Sequence, residues 1–438
     1  MDKVIIKKID EAHNKIVCDP GIIMELSSFF TFDVPGAKFS PAYRNKVWDG
    51  KIRLLNTMSC LLYAGLAEHV ETFCRSRDYD VEYEGITSDY EFSLVEAEAF
   101  IKKLNPTHYP RDYQIEAFVH AVRKRRAMLL SPTASGKSLI IYLLTCWYAK
   151  KTLIIVPTTS LVHQMTSDFE DYGFPKNAIH KIMSGQEKHS ERMIFCSTWQ
   201  SIYKMPKAWF DQFDVVIGDE AHLFKSKSLI SIMTGLRNCP HRFGFTGTLD
   251  GSQTHKLVLE GLFGPVRKII STSELIEKKY LADFRIKAII LKYSDDIRKI
   301  NIKNDYQTEM DFLVSNDSRN KFIKNLVLSL KGNTLLLFQY VDKHGKVLYD
   351  MIQKEAVNRN VYFISGSVDG EKREEIRRSV DLAVNGIILK FQFGELLLPE
   401  NLPVLLETGE IIEAKNITTD TDISEKWLSL NKDLYKYQ

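Results

Sequence analysis

A chain of 438 residues, 44% hydrophobic and 26% charged, has the make-up of a water-soluble protein with room for two to four domain cores. No apolar run approaches the twenty or so residues needed to cross a bilayer, and the N-terminus lacks a signal-like apolar segment; membrane-spanning helices are excluded and a cytoplasmic location is expected. A net charge of +3 identifies no nucleic-acid partner by itself, and six dispersed cysteines without a Cys-x-x-Cys pair argue against zinc or a disulfide framework.

Residues 1–95 read as a small α+β domain, with apolar strands at Val4-Ile5-Ile6 and Ile16-Val17-Cys18 and a helix around Glu25–Phe30. The stretch from Phe39 to Leu54 interleaves aromatic and basic residues around Asp49-Gly50. Aromatic faces stack on bases while Lys and Arg neutralise phosphates, which makes Tyr43, Arg44 and Trp48 candidate DNA contacts. Trp48 fits equally well in the domain's core, with the charges as a solvated rim. An acidic exit follows at Glu82–Asp89, then a predicted helix from Val95 to Leu104.

Across 107–272 strands alternate with helices. The apolar runs at 127–130, 153–156, 193–196, 215–217 and 242–245 predict a doubly wound parallel sheet. After the first strand comes Ser131-Pro132-Thr133-Ala134-Ser135-Gly136-Lys137-Ser138, and a helical run begins at Leu139. Strand, glycine-containing loop and helix make a phosphate cradle of backbone N–H groups. Lys137 would reach the β- and γ-phosphates of ATP, and Ser138 would help hold Mg²⁺. Asp219-Glu220-Ala221-His222 ends a later strand, delivering adjacent carboxylates to the same edge. There Asp219 would hold Mg²⁺ and Glu220 would polarise the attacking water. Either motif alone is common; both after strands, in this order, describe one nucleotide-hydrolysing core.

Other polar segments fall at strand ends of that sheet. Pro157-Thr158, Thr198-Trp199-Gln200 and Thr246-Gly247-Thr248 suit hydroxyls and amides that grip a phosphate backbone without reading sequence. Upstream, the Gln114 amide of Pro110-Arg111-Asp112-Tyr113-Gln114 offers adenine both a donor and an acceptor.

A second α/β segment, 273–390, has strands at 334–338 and 361–364 and a polar insertion from 294 to 318 that reads as helical or mobile. The tail, 391–438, contains a predicted hairpin over Val404–Ile412 and ends in a charged, helix-like stretch.

Over residues 108–376 this ordered set resembles the superfamily 2 helicases of the Asp-Glu-Ala-His type. The resemblance implies a RecA-like core and a second, incomplete RecA-like core. It assigns adenine recognition to Arg111 and Gln114, motif I to Pro132 through Ser138, motif Ia to Pro157 and Thr158, and motif Ic to Thr198 and Gln200. Asp219 to His222 then matches motif II, and Thr246 to Thr248 matches motif III, with His222 linking the ATP site to the motif III hydroxyls. Leu336–Tyr340 looks like motif IV, and Ser365, Gly366 and Arg373 look like a further nucleic-acid contact; a buried strand and a helix start are the alternative.

The N-terminal unit ahead of these motifs resembles the UvsW-type recombination helicases of T4-like phages. That implies action on branched DNA in recombination and repair, with recombination proteins as candidate partners. An RNA helicase, or an ATP- and DNA-binding fragment with little turnover, are the rival readings. The pattern departs after Leu389: motifs V and VI are missing and Arg378 is the last arginine, so slow hydrolysis is expected of this chain. An interrupted gene, a fragment and a divergent tail all fit.

Overall fold

The computed structural model describes residues 3–281, 291–294, 305–366 and 385–391, apart from positions 35, 88, 184 and 250–252, with short described pieces at 289, 297, 368, 372, 375–376, 379–380, 383, 403–405 and 411–413. The chain forms two compact units, residues 1–283 and 284–438.

Period-two alternation in β1 (Lys3–Lys8) and β2 (His13–Val17) buries Val4, Ile6 and Ile16 on one side. Helix α1 (Pro20–Phe29) opens on a proline, where no intrahelical donor is lost. Strands β3 (Thr31–Asp33) and β4 (Lys51–Arg53) pair antiparallel as the stem of a projection carrying the single turn α2 (Pro41–Arg44). With β5 (Leu61–Tyr63), α3 (Ala67–Arg75) and β6 (Asp80–Glu84), the domain has a four-stranded sheet of order β5-β2-β1-β6. This is the α+β domain that the sequence predicts.

Helix α4 (Leu94–Leu104) starts at a capping box between Ser93 and Glu96. There follow α5 (Asp112–Lys124), β7 (Arg126–Leu130), α6 (Lys137–Tyr148), β8 (Thr152–Val156), α7 (Thr159–Asp171), β9 (Ile179–Ile182), β10 (Ile194–Thr198) and the short α8 (Trp199–Ile202) and α9 (Lys207–Phe210). Next are β11 (Val215–Asp219), α10 (Lys227–Gly235), β12 (His241–Thr246), α11 (Gln253–Phe263), β13 (Val266–Lys268) and α12 (Thr272–Glu277). The seven strands form one parallel sheet, β13-β7-β12-β11-β8-β10-β9. Helices cover both faces, so a central strand such as β8 is buried at every residue. Because β7, β12 and β11 are neighbours, the segments leaving their carboxyl ends meet at one edge.

The N-terminal domain packs on this core and belongs to the same unit. Arg126, at the start of β7, donates to the Glu11 carbonyl at 2.6 Å, and His69 Nε2 lies 3.0 Å from the buried Glu260 carboxylate on α11. Arg242, fully buried in β12, is satisfied by main-chain oxygens of Met233, Leu236 and Cys239, at and just beyond the C-terminal end of α10. Helix α12 belongs to the first unit: its Leu275 is buried with Tyr113 and Ile270, and Tyr280 lies against Arg111.

In the second unit, β14 (Thr334–Phe338), β15 (Val361–Ile364) and β16 (Ile387–Phe391) form a parallel sheet of order β14-β16-β15. Its core gathers Phe338, Leu348, Ile352, Ile387 and Leu389. The expected insertion contains a helix at Tyr306–Ser315. In the tail, β17 (Pro403–Leu405) and β18 (Ile411–Glu413) pair antiparallel at the predicted hairpin. Among the described residues no helix is long and apolar enough to cross a membrane.

Candidate functional site

Between β7 and α6 the chain must turn sharply enough to present successive N–H groups to one point. Ala134 at φ +63° and Gly136 at φ +76° supply the left-handed conformations of such a concavity. Inside the loop Ser135 is buried: its hydroxyl donates to the Pro132 carbonyl at 2.7 Å and lies 2.6 Å from Ser131 Oγ. The Ser131 N–H donates to the Thr246 carbonyl at 2.8 Å, tying the loop to the end of β12. Thr133 and Ala134 are exposed at the loop's mouth.

Lys137 Nζ stands 3.5 Å from Glu220 Oε1. Glu220 itself occupies the left-handed region at φ +49° just past β11, which turns its side chain back toward the loop. Its other oxygen lies 3.4 Å from His222 Nδ1, which is 2.9 Å from Thr246 Oγ1. The Thr246 hydroxyl donates to the Thr248 carbonyl at 3.0 Å, so its oxygen must accept from histidine and Nδ1 carries the proton. Lys137, Glu220, His222, Thr246 and Thr248 thus form one continuous polar chain along the edge, with Gly247 inside its last turn.

Asp219 differs from its neighbour. Its Oδ1 is buried without a hydrogen-bond partner among the described residues. Burial pushes the carboxyl above the usual aspartate range, against the pull of Lys137, while the His222 hydrogen bond and Lys137 hold Glu220 below the usual glutamate range. An orphaned carboxylate oxygen close to a lysine and a phosphate loop fits a hard divalent cation, which takes oxygen donors. Asp219 would hold Mg²⁺ there. Ser138, the other expected ligand, has its hydroxyl 2.8 Å from Tyr172 Oη.

The adenine segment is tied into the phosphate loop. Gln114 is buried; its Oε1 accepts from the Arg111 N–H at 2.8 Å and its Nε2 donates to the carbonyls of Ser135 and Gly136 at 3.0 and 3.1 Å. The amide thus braces the phosphate loop, and its Oε1 retains a second lone pair. Arg111 lies over the Tyr280 ring at 3.9 Å and donates to Tyr113 Oη at 3.0 Å. The sequence showed the Gln but not the loop carbonyls that would claim it, because they fold back from twenty residues away.

Further along the edge, Pro157, Thr158, Thr198 and Gln200 line one open cleft of about 490 Å³, joined by Thr159, Ser201, Gly185 and Lys188. Thr158 and Gln200 are exposed; Thr198 is mostly buried, its hydroxyl 2.9 Å from Ser201 Oγ. Lys188, from the β9–β10 connection, is the cation that the sequence alone did not single out.

At the N-terminal projection Tyr43 and Arg44 are exposed. Trp48 is half-buried and its indole N–H donates to the Lys51 carbonyl at 2.8 Å, closing the tip onto its stem. Phe39 and Val47 are the strongly exposed apolar side chains of the tip. In the second unit Ser365 is buried and Gly366 exposed at the end of β15. Arg373, the other contact that the resemblance implies there, lies outside the described residues.

Residues 107–251 match the family model described as "Type III restriction enzyme, res subunit", and residues 3–84 match "DNA helicase UvsW, N-terminal". The chain is 35% identical over 403 residues to the ATP-dependent DNA helicase uvsW of Enterobacteria phage T4, a match covering 88% of this chain and 79% of that protein. It is 29% identical over 190 residues to the DNA 3'-5' translocase XPB2 of Sulfurisphaera tokodaii, covering 43% of this chain and 42% of that protein. Two crystal structures of bacteriophage T4 UvsW align at TM-scores of 0.57 and 0.58 with 36% and 33% identity. They cover 61% and 89% of this chain, and 99% and 80% of their own.

Proposed function

Because the chain belongs to the UvsW family of ATP-dependent DNA helicases, we propose that the loop at 132–138 binds Mg·ATP and that the cleft beside it holds one DNA strand of a branched substrate. The observation that carries this reading is the polar chain from Lys137 through Glu220 and His222 to Thr246, next to an unpartnered Asp219 oxygen. Mg²⁺, held by Asp219 and Ser138, supplies charge neutralisation on the phosphates when bound. Lys137 adds positive charge to the transferring phosphate. Glu220, kept ionised by its partners, is the base that orients and deprotonates water. His222 transmits the state of Glu220 to the hydroxyl of Thr246.

The cleft offers threonine and serine hydroxyls, a glutamine amide and Lys188, groups that hold phosphate without reading bases. The exposed aromatic and basic residues of the N-terminal tip, Phe39, Tyr43 and Arg44 with Lys38 and Lys46, supply a second contact suited to a DNA branch, where unpaired bases are open to stacking. Host cytoplasm is the expected place of action and recombination proteins the expected associates.

Phosphate release measured with single-stranded DNA, forked DNA and RNA tests the whole reading. Forked DNA should stimulate most. Equal stimulation by RNA would favour an RNA-acting enzyme, and no stimulation by any of them would remove the strand-binding role of the cleft.

A further inference from the structure

The Ser138 hydroxyl has a protein partner that nothing in the phosphate-loop pattern calls for. Tyr172 closes the C-terminal end of α7, and its Oη lies 2.8 Å from Ser138 Oγ. The Asp168 carboxylate, one turn earlier on α7, is pushed above the usual aspartate range by burial, against the pull of the same Ser138 hydroxyl. Tyr172 is not free to swing away. Its ring packs 5.5 Å from that of Tyr142 and 6.0 Å from that of His108, and its carbonyl accepts from the Thr107 N–H at 3.2 Å.

The opposite end of α7 lies in the cleft. Thr158 caps the helix, its hydroxyl accepting from the Leu161 N–H at 3.3 Å, and Thr158 and Thr159 both line the cleft wall. Between the two ends Val162, Met165, Thr166 and Phe169 are buried, so the helix is seated as one body against the core. A single thirteen-residue helix, about 20 Å long at 1.5 Å per residue, therefore touches the strand-binding cleft at one end and the expected metal-ligating hydroxyl at the other.

We propose that Tyr172 is a positioning residue that holds Ser138 off the metal until α7 is displaced by a strand in the cleft. The inference rests on the Mg·ATP reading of the loop and deepens it. A hydroxyl has one proton and two lone pairs, and the bond shared with Tyr172 restricts its rotamer. Turning Ser138 toward Mg²⁺ costs at least the bond to Tyr172. A strand gripping Thr158 and Thr159 favours the helix position in which that bond is already weakened. Linkage then requires the converse: Mg·nucleotide should tighten strand binding by the same factor.

The test is a titration of the full chain with a fluorescent, non-hydrolysable ATP analogue, in Mg²⁺ or in EDTA, with and without a single-stranded DNA oligonucleotide. Tyr172→Phe removes the hydroxyl and keeps the ring. It should tighten Mg²⁺-dependent binding without DNA roughly two- to tenfold, the range spanned by the net contribution of a neutral hydrogen bond. Binding in EDTA should be unchanged, and the extra tightening that DNA gives the parent should shrink. In a Ser138→Ala background the same substitution should have no effect.

Parent-like or weaker Mg²⁺-dependent binding by a normally folded Tyr172→Phe chain overturns the proposal, as does an effect that persists without Ser138 or a DNA increment equal to the parent's. Asp168→Asn, which changes the carboxyl that Ser138 influences and leaves the ring packing alone, is read in the same way should Tyr172→Phe melt early. A parent that bound the analogue identically in Mg²⁺ and EDTA would instead sink the Mg·ATP reading beneath it.

Discussion

Lys137 Nζ lies 3.5 Å from a carboxylate oxygen of Glu220, so in the protein alone the cation of the phosphate loop and the base of the neighbouring strand neutralise one another. Incoming phosphate must compete for that lysine. Lys137→Ala should cut kcat/KM for ATP by at least about 10²-fold, the scale seen when one preorganised charge-stabilising donor is lost. Glu220 would at the same time lose one of the two partners that depress its pKa. Phosphate-release kinetics with a circular-dichroism check of folding decide the matter; parent-like kinetics would remove the loop from the reaction.

The two acidic residues should fail differently. Glu220→Gln keeps the side chain's shape and loses the base, so Mg·ATP should still bind while turnover falls by roughly 10²- to 10⁴-fold, the usual worth of a positioned general base. Asp219→Asn removes the negative charge behind the orphaned oxygen and should weaken the Mg²⁺-dependent part of nucleotide affinity. Two mutants losing that affinity equally would show that the division of roles is wrong.

Asp219 also carries a stability signature. Its folded-state pKa is raised by burial above the ordinary value of 3.8, so the ionised form disfavours folding. The associated stability is present below pH 3.8 and is lost as pH rises through the raised value. Asp219→Asn should accordingly melt no higher than the parent in acid but higher at neutral pH, by roughly 1–2 °C for each kcal/mol of relief. Mg·ATP should raise the parent's midpoint at pH 7 and leave the mutant nearly unchanged. A mutant that melts lower at pH 7 would contradict the orphaned-charge account.

Much of this site was legible because its signals are local. A strand of apolar residues, a loop ending Gly136-Lys137-Ser138 and an acidic pair after another strand each lie within about ten residues, and parallel-sheet topology brings such strand ends to one edge. Partners that come from far along the chain left no such trace. The bonds from Gln114 to the carbonyls of Ser135 and Gly136 could not be read ahead, because those residues are distant in sequence. Tyr172 carries no motif at all, and only the course of α7 brings it to Ser138. Trp48 reads as contact or core on composition alone, and composition does not show its bond to the Lys51 carbonyl, which ties the tip to its stem.

The N-terminal domain is seated through a near-contact of main chains. A Cβ on Gly65 would collide with the carbonyl oxygen of Glu260 and lie 2.9 Å from that of Gly261, while one on Gly261 would lie 2.8 Å from Tyr63 Cβ. Backbone on α11 cannot yield as a side-chain tip can. Gly65→Ala should therefore cost about 1–3 kcal/mol, the range of overpacking in a filled core, and should speed proteolysis between residues 84 and 94. A mutant with the parent's melting point and cleavage pattern would mean that the domain is not held through this contact.

The projection on β3 and β4 allows contact and scaffold to be separated by mutation. Phe39 is 66% exposed and Arg44 is exposed near it, with no buried surface to account for either. Phe39→Ala and Arg44→Ala should weaken forked-DNA binding while leaving the melting point and DNA-free ATP binding as they were. Stacking of one base is worth about 1–3 kcal/mol, so the loss for Phe39→Ala should fall between roughly fivefold and a hundredfold. The Arg44 effect should shrink as salt rises, since it replaces counterions on phosphate. Trp48→Ala, by contrast, removes the bond that closes the tip and should lower forked-DNA binding together with local protection from proteases. If Phe39→Ala and Arg44→Ala bound forked DNA like the parent at low salt, the tip would have no part in substrate recognition, and any preference for forked DNA would have to arise elsewhere in the chain.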